Sequence, residues 1–180
     1  MDNDLILPSM WLGFLTYMLL ALIYIYHVIR DFKLLGFKNI KIIIVVGFLV
    51  LGIHCLEVII KYYKHPKIIN VEETNYLTNY PAAIGFILVA LYFCLLFSKS
   101  THFFYILAPL GYLFLANNVL FGVIPVIIFH LISIGYHVYD FAHTDYFIFA
   151  TKILMCVYFI ILSYIYIKQQ GINNIFKIYD

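Results

Sequence analysis

Apolar residues run through this chain in blocks about as long as a membrane crossing, and polar residues gather in short clusters between the blocks. Neither the two-residue alternation of a half-buried strand nor the single apolar stripe of a surface helix recurs along it. The pattern predicts helical spans at about Ser9–Ile29, Ile42–Ile60, Pro81–Ser98, Thr101–Ala116, Val119–Tyr139 and Tyr146–Ile167. Pro8 and Pro81 stand at span starts, where a missing backbone N–H is harmless. Arg30, Asp31, Lys33, Lys38 and Lys41 form the hinge after the first span. Residues 61–80 form the longest connection, with Lys61, Lys64, Lys67, Glu72 and Glu73.

The fourth and fifth spans are separated on length. From Ser100 to Tyr139 there is no Asp, Glu, Lys or Arg. One helix of that length would reach roughly 60 Å, about twice the hydrocarbon core. Asn117-Asn118 is the natural break. The fourth segment is short and carries Pro109 and Gly111, so a kinked or re-entrant course is the alternative, which leaves five crossings. With six, the lysines and arginines outside the spans divide five against five between the two sides; with five, they divide seven against three. The charge rule favours five and segment length favours six. The expectation is an all-α polytopic bundle of six spans, a single domain over 1–180. It would be an integral membrane protein whose thin bundle is completed by a homo-oligomer or by other membrane subunits.

Composition sharpens this picture. The chain is 65% hydrophobic and 11% charged, with a mean hydropathy of +0.99. Twenty charged residues cannot coat a soluble fold of this size, so lipid must face most of the surface. A net charge of +2 gives no argument for nucleic acid. The first apolar run lacks a basic n-region and is too long for a signal peptide, so it is expected to be retained. Cys55, Cys94 and Cys156 have no metal or redox spacing and read as small buried hydrophobes. Tyr24, Tyr26, Tyr62, Tyr63, Tyr80, Tyr139, Tyr146, Tyr164 and Tyr166 cluster at span ends as an interfacial belt. His27, His65 and His102 are read as interfacial too.

Ionisable groups inside hydrocarbon cost a few kcal/mol even on a lenient scale, so those that occur there need partners or a task. On the fifth span, His130, Ser133, His137 and Asp140 fall on one stripe, while Ile127, Ile128, Leu131, Ile132 and Ile134 suit lipid or packing. Histidine titrates near neutrality, so this stripe is a candidate path for protons, ions or small solutes, with interhelical packing as the plainer role. His54, Glu57 and Lys61 share a stripe on the second span, with Glu57 and Lys61 placed for an i,i+4 ion pair. Lys152, about two turns into the sixth span, is expected to pair with Asp145 or Asp140. Withdrawn from water, it is also a Schiff-base candidate. Lys152 with Pro125 on the preceding span faintly resembles the last two helices of microbial rhodopsins over the final third of the chain. That resemblance implies retinal on Lys152. The chain departs from the pattern in having Ile148 where an aspartate is usual, a single tryptophan, Trp11, and fewer than seven spans.

Gly52-x-His54-x-x-Glu57 and Gly135-x-His137-x-x-Asp140 match at three positions and lie on the middle helix of each three-span half, as an inverted repeat would place them. His137, Asp140 and His143 are metal-ligand candidates at a helix end, and His54 with His130 or His137 is a conceivable haem pair. Gly-rich phosphate loops, GxSxG, HExxH and HxxxH patterns do not occur. The leading expectation is a channel or transporter without a bound cofactor. A non-catalytic subunit of a membrane complex is the alternative, and an intramembrane enzyme follows.

Overall fold

The computed structural model describes residues 6–35, 39–64, 80–99, 102–117, 119–140 and 146–170. They form six helices and no strands: α1 (Ile6–Leu35), α2 (Lys41–Lys64), α3 (Tyr80–Phe97), α4 (Leu107–Ala116), α5 (Val123–Tyr139) and α6 (Tyr146–Gln170). The apolar blocks account for all six, and α1 and α6 run past the apolar run into polar sequence. The residues of the 61–80 connection from 65 to 79, the turn at 141–145 and the tail from 171 lie outside the described residues.

Five helical segments are long and apolar enough to cross a membrane. The stretch from Phe103 to Ala116 is shorter: one 3-10 turn (Phe103–Ile106) followed by α4. At about 2.0 Å per residue in the turn and 1.5 Å in the helix, it reaches roughly 23 Å, short of a hydrocarbon core of about 30 Å. Both α4 and α5 start after a 3-10 turn, and each has proline as its third residue, Pro109 and Pro125. A proline there removes an N–H that the first turn cannot use, so it marks a start, not an interior kink. Pro109 therefore does not bend a long span, as its place within the predicted fourth span had allowed.

The break between α4 and α5 falls where the two asparagines are. Asn117 Nδ2 donates to Leu113 O at 2.8 Å, and Val119 N–H donates to Phe114 O at 2.9 Å, closing the carbonyl end of α4. The two helices then run antiparallel: Gly111 lies against Gly122 and Val126, and Phe104 stacks on Tyr136 with centroids 5.4 Å apart. The crossing is a backbone contact. A Cβ on Gly111 would stand 2.6 Å from Gly122 O, and Gly122 is closed reciprocally by Gly111 O. Small residues at such crossings let helix backbones approach closely.

Each helix packs on its sequence neighbour, and α6 closes on α1, so the helices form a ring in chain order. Asp31 Oδ2 accepts from Lys41 Nζ at 2.6 Å, tying the end of α1 to the start of α2. Asn39 Oδ1 accepts the Lys41 N–H at 3.1 Å and satisfies one of the free donors of α2. The core runs along the inside of the ring, and its largest fully buried side chains include Tyr17, Tyr112 and Phe159. Leu15, Leu22, Ile53, Ile87, Leu113, Ile128, Leu131 and Ile160 point outward, as an apolar solvent allows.

Tyr26 is exposed within α1, and Tyr63, Tyr80, Tyr139, Tyr146 and Tyr164 are exposed near helix ends. Tyr24 is not: it is partly buried against the core. His27 is buried, against the expectation of an interfacial ring, because its position on α1 faces inward between Tyr24 and Tyr26. His65 lies outside the described residues. Cys55 and Cys156 are buried thiols, whereas Cys94 faces outward from α3.

Candidate functional site

The ends of α1, α3 and α5 and the starts of α2, the Phe103–Ile106 turn and α6 meet at one end of the ring. There the side chains leave a partly open cavity of about 430 Å³. α5 contributes Phe129, His130, Ser133, Tyr136 and His137, spaced three and four residues apart so that one helical face looks inward. α6 contributes Ile148, Thr151, Lys152 and Met155 on the same principle. Leu20 and Tyr24, Phe48, Phe93 and Leu96, and His102, Phe104 and Tyr105 supply the remaining wall.

Lys152 organises the polar part. Its Nζ donates to Ser133 Oγ and lies 2.7 Å from His137 Nε2. With the ammonium as donor, His137 accepts through Nε2 and its ring proton sits on Nδ1. Ser133 is buried and His137 half-buried. His130, one turn deeper, is buried, and its Nε2 is 3.2 Å from Tyr112 Oη. Its Nδ1 has no hydrogen-bond partner among the described residues. An unpaired polar atom in such a place costs about 1–3 kcal/mol, so the ring is held there by its surroundings at an expense.

Aromatic rings make up most of the remaining lining. Phe93 meets Phe129 edge-on with centroids 5.0 Å apart and stacks on Tyr112 at 5.9 Å. Phe104 stacks on Tyr105 and on Tyr136. Beyond the cavity, Tyr17, Tyr112 and Phe159 fill the middle of the ring; Tyr17 contacts Tyr158 and Tyr112 contacts Phe159. Among the described residues the cavity therefore ends on packed rings.

The sequence candidates divide. His130, Ser133, His137 and Lys152 come together on this cavity. Asp140 does not line it; it is the exposed C-cap of α5, with its N–H on Tyr136 O. His54 is buried on α2 away from the cavity lining, and Glu57 pairs with Lys61 at 2.7 Å on the partly exposed side of that helix. The two Gly-x-His-x-x-acid segments sit in unlike surroundings. Gly52 is packed on Met18, Gly135 has nothing within 4 Å, and only His137 reaches the cavity. Of the two expected partners of Lys152, Asp140 is passed over for Ser133 and His137, and Asp145 lies outside the described residues, as does His143, a candidate metal ligand. Among the described residues no group of three or more His, Cys, Asp or Glu gathers to hold a metal ion. Comparison with known proteins returns no matching family model, curated protein or solved structure.

Sequence reasoning overlooked the aromatic half of the site. Tyr24, Phe93, Phe104, Tyr105, Phe129 and Tyr136 differ in no local signal from the other tyrosines and phenylalanines of a chain that is 19% aromatic. Tyr112 carried one clue, a phenol in the middle of an apolar block, since a buried hydroxyl usually finds a partner.

Proposed function

We propose that the chain is an integral membrane protein of six crossings that takes a small solute into this cavity and passes it across the bilayer. The observation that carries the reading is the convergence of His130, Ser133 and His137 with Lys152 on one cavity within an otherwise oily ring. Placing those groups at membrane depth costs free energy that lipid-facing residues would not, which favours a task for them. The antiparallel α4–α5 hairpin supports the sixth crossing: α4 takes a full place in the ring, and the bilayer or neighbouring side chains make up its shortfall in length.

The identity of the charge alters the expected cargo. A stripe of two histidines and an aspartate reads as a route for protons or cations. Among the described residues the cavity lining contains no Asp or Glu, and its formal charge is Lys152. A fixed ammonium repels cations in a medium of low dielectric and attracts anions or neutral acceptors. Tyr112 with His130, backed by the packed rings, closes the inner end, so passage requires those side chains to move. The protein thus works as a gated carrier, open at one end of the ring in this conformation.

Tracer uptake into proteoliposomes tests this reading, with formate, chloride, choline and glycerol as one probe set. Formate or chloride should enter faster than into protein-free vesicles, and choline should not. Ser133→Phe, which fills the cavity, should abolish the difference. If no tracer exceeds the protein-free rate, the carrier reading is wrong.

A further inference from the structure

We propose that the cavity binds a monocarboxylate with an apolar body, its carboxylate on Lys152 and Ser133 and its body among the aromatic rings. The inference rests on reading this cavity as the solute site, and it names the class of solute.

The polar chemistry is one-sided. Lys152 has three N–H donors, of which Ser133 Oγ and His137 Nε2 take two. Ser133, having accepted through its oxygen, keeps its own proton to donate. Tyr105 and Tyr136 add phenol groups to the wall, and Tyr24 adds a ring whose hydroxyl is paired with Tyr92. Among the described residues, no arginine and no Asp or Glu contributes to it. One cation among hydroxyl donors complements one negative charge with two acceptor oxygens, which is a carboxylate. A phosphate dianion asks for more positive charge, such as an arginine fork, and the described lining holds no arginine.

The walls define the rest of the ligand. Phe48, Phe93, Phe104 and Phe129, with Leu20 and Met155, surround the polar cluster with ring faces and alkyl groups. A small inorganic anion would leave that surface in contact with water. A volume of about 430 Å³ lies in the range of sites for small organic ligands. A carboxylate also relieves the cost of the ammonium, because a buried charge is tolerated when it is paired and hydrogen-bonded. Two sources share this chemistry: a fatty acid entering from the bilayer and an aromatic acid entering from water.

Equilibrium dialysis of the full chain in phosphatidylcholine nanodiscs, corrected against empty nanodiscs, decides the matter. The probes are 3-phenylpropionate and decanoate, each compared with its neutral amide. The expected result is at least tenfold tighter binding of an acid than of its amide. Lys152→Met should reduce the acid to the level of the amide without weakening the amide, and Lys152→Arg should keep the preference. A preference seen with 3-phenylpropionate assigns the source to water; one seen with decanoate assigns it to the bilayer. Equal binding of acid and amide, or an acid preference that survives Lys152→Met, overturns the carboxylate assignment while the retained amide still supports a solute cavity. If neither acids nor amides bind, the assignment falls and the cavity reading loses its support as well.

Discussion

Nζ of Lys152 is 2.7 Å from Nε2 of His137 and also donates to Ser133 Oγ, so one α6 side chain joins two residues a helical turn apart on α5. This link is the polar seam between the last two helices. Asp140, one turn beyond His137, is exposed at the helix end.

The seam sets two substitutions apart. His137→Phe keeps the approximate ring volume and removes the acceptor, and should lower thermal stability by about 0.6–2 kcal/mol, the range for interhelical hydrogen bonds in membranes. It should also impair solute uptake. Asp140→Asn should leave uptake unchanged and move stability by less than about 1 kcal/mol, as for other surface charges. Thermal unfolding of both variants in one detergent, together with uptake per folded molecule, makes the comparison. A larger loss from Asp140→Asn would mean that the stripe works through its carboxylate.

Two glycines should respond oppositely to one added methyl group. Gly111→Ala places a Cβ against Gly122 O and the Val126 side chain, so α4 and α5 must separate, at a cost of about 1–3 kcal/mol. Gly135→Ala meets nothing within 4 Å and should be neutral or stabilise by up to about 1 kcal/mol, through the helix preference of alanine. Melting temperatures of the two variants check the pair, and a destabilised Gly135→Ala would mean that this face of α5 is covered.

Topology has its own test. If α4 crosses with its neighbours, Asn3→Cys and Asn174→Cys should both react with an impermeant thiol reagent from the same side of sealed vesicles. Reaction from opposite sides would show five crossings and leave α4 re-entrant.

Much of the fold was legible because apolar run length and helix geometry are both one-dimensional. The 40-residue uncharged stretch had to break, and Asn117 ends α4 with a side-chain hydrogen bond that its sequence position allows. Pro109 was ambiguous because a proline inside an apolar block reads as a kink until the preceding 3-10 turn is seen. The stripe of His130, Ser133 and His137 followed from spacing alone, since three- and four-residue steps share a helix face. Which residue it faced did not follow: the sequence offered Asp145 or Asp140 as the partner of Lys152, and its contact with Ser133 and His137 depends on how α6 is rotated against α5. His54 shares the sequence context of His137 but not the cavity, because that context does not set how α2 is turned in the ring.

The central claim is that the inward face of α6 lines a solute-accessible cavity while its outward face meets lipid. Cysteine reactivity at two α6 positions measures this most directly: Ile148 lines the cavity one turn from Lys152, and Ile153 points out of the ring. In reconstituted vesicles, Ile148→Cys should react with a negatively charged methanethiosulfonate at least tenfold faster than Ile153→Cys, measured above the reactivity of the parent chain. Lys152→Met in the same background should slow it. Equal rates, or faster reaction at position 153, would contradict the account.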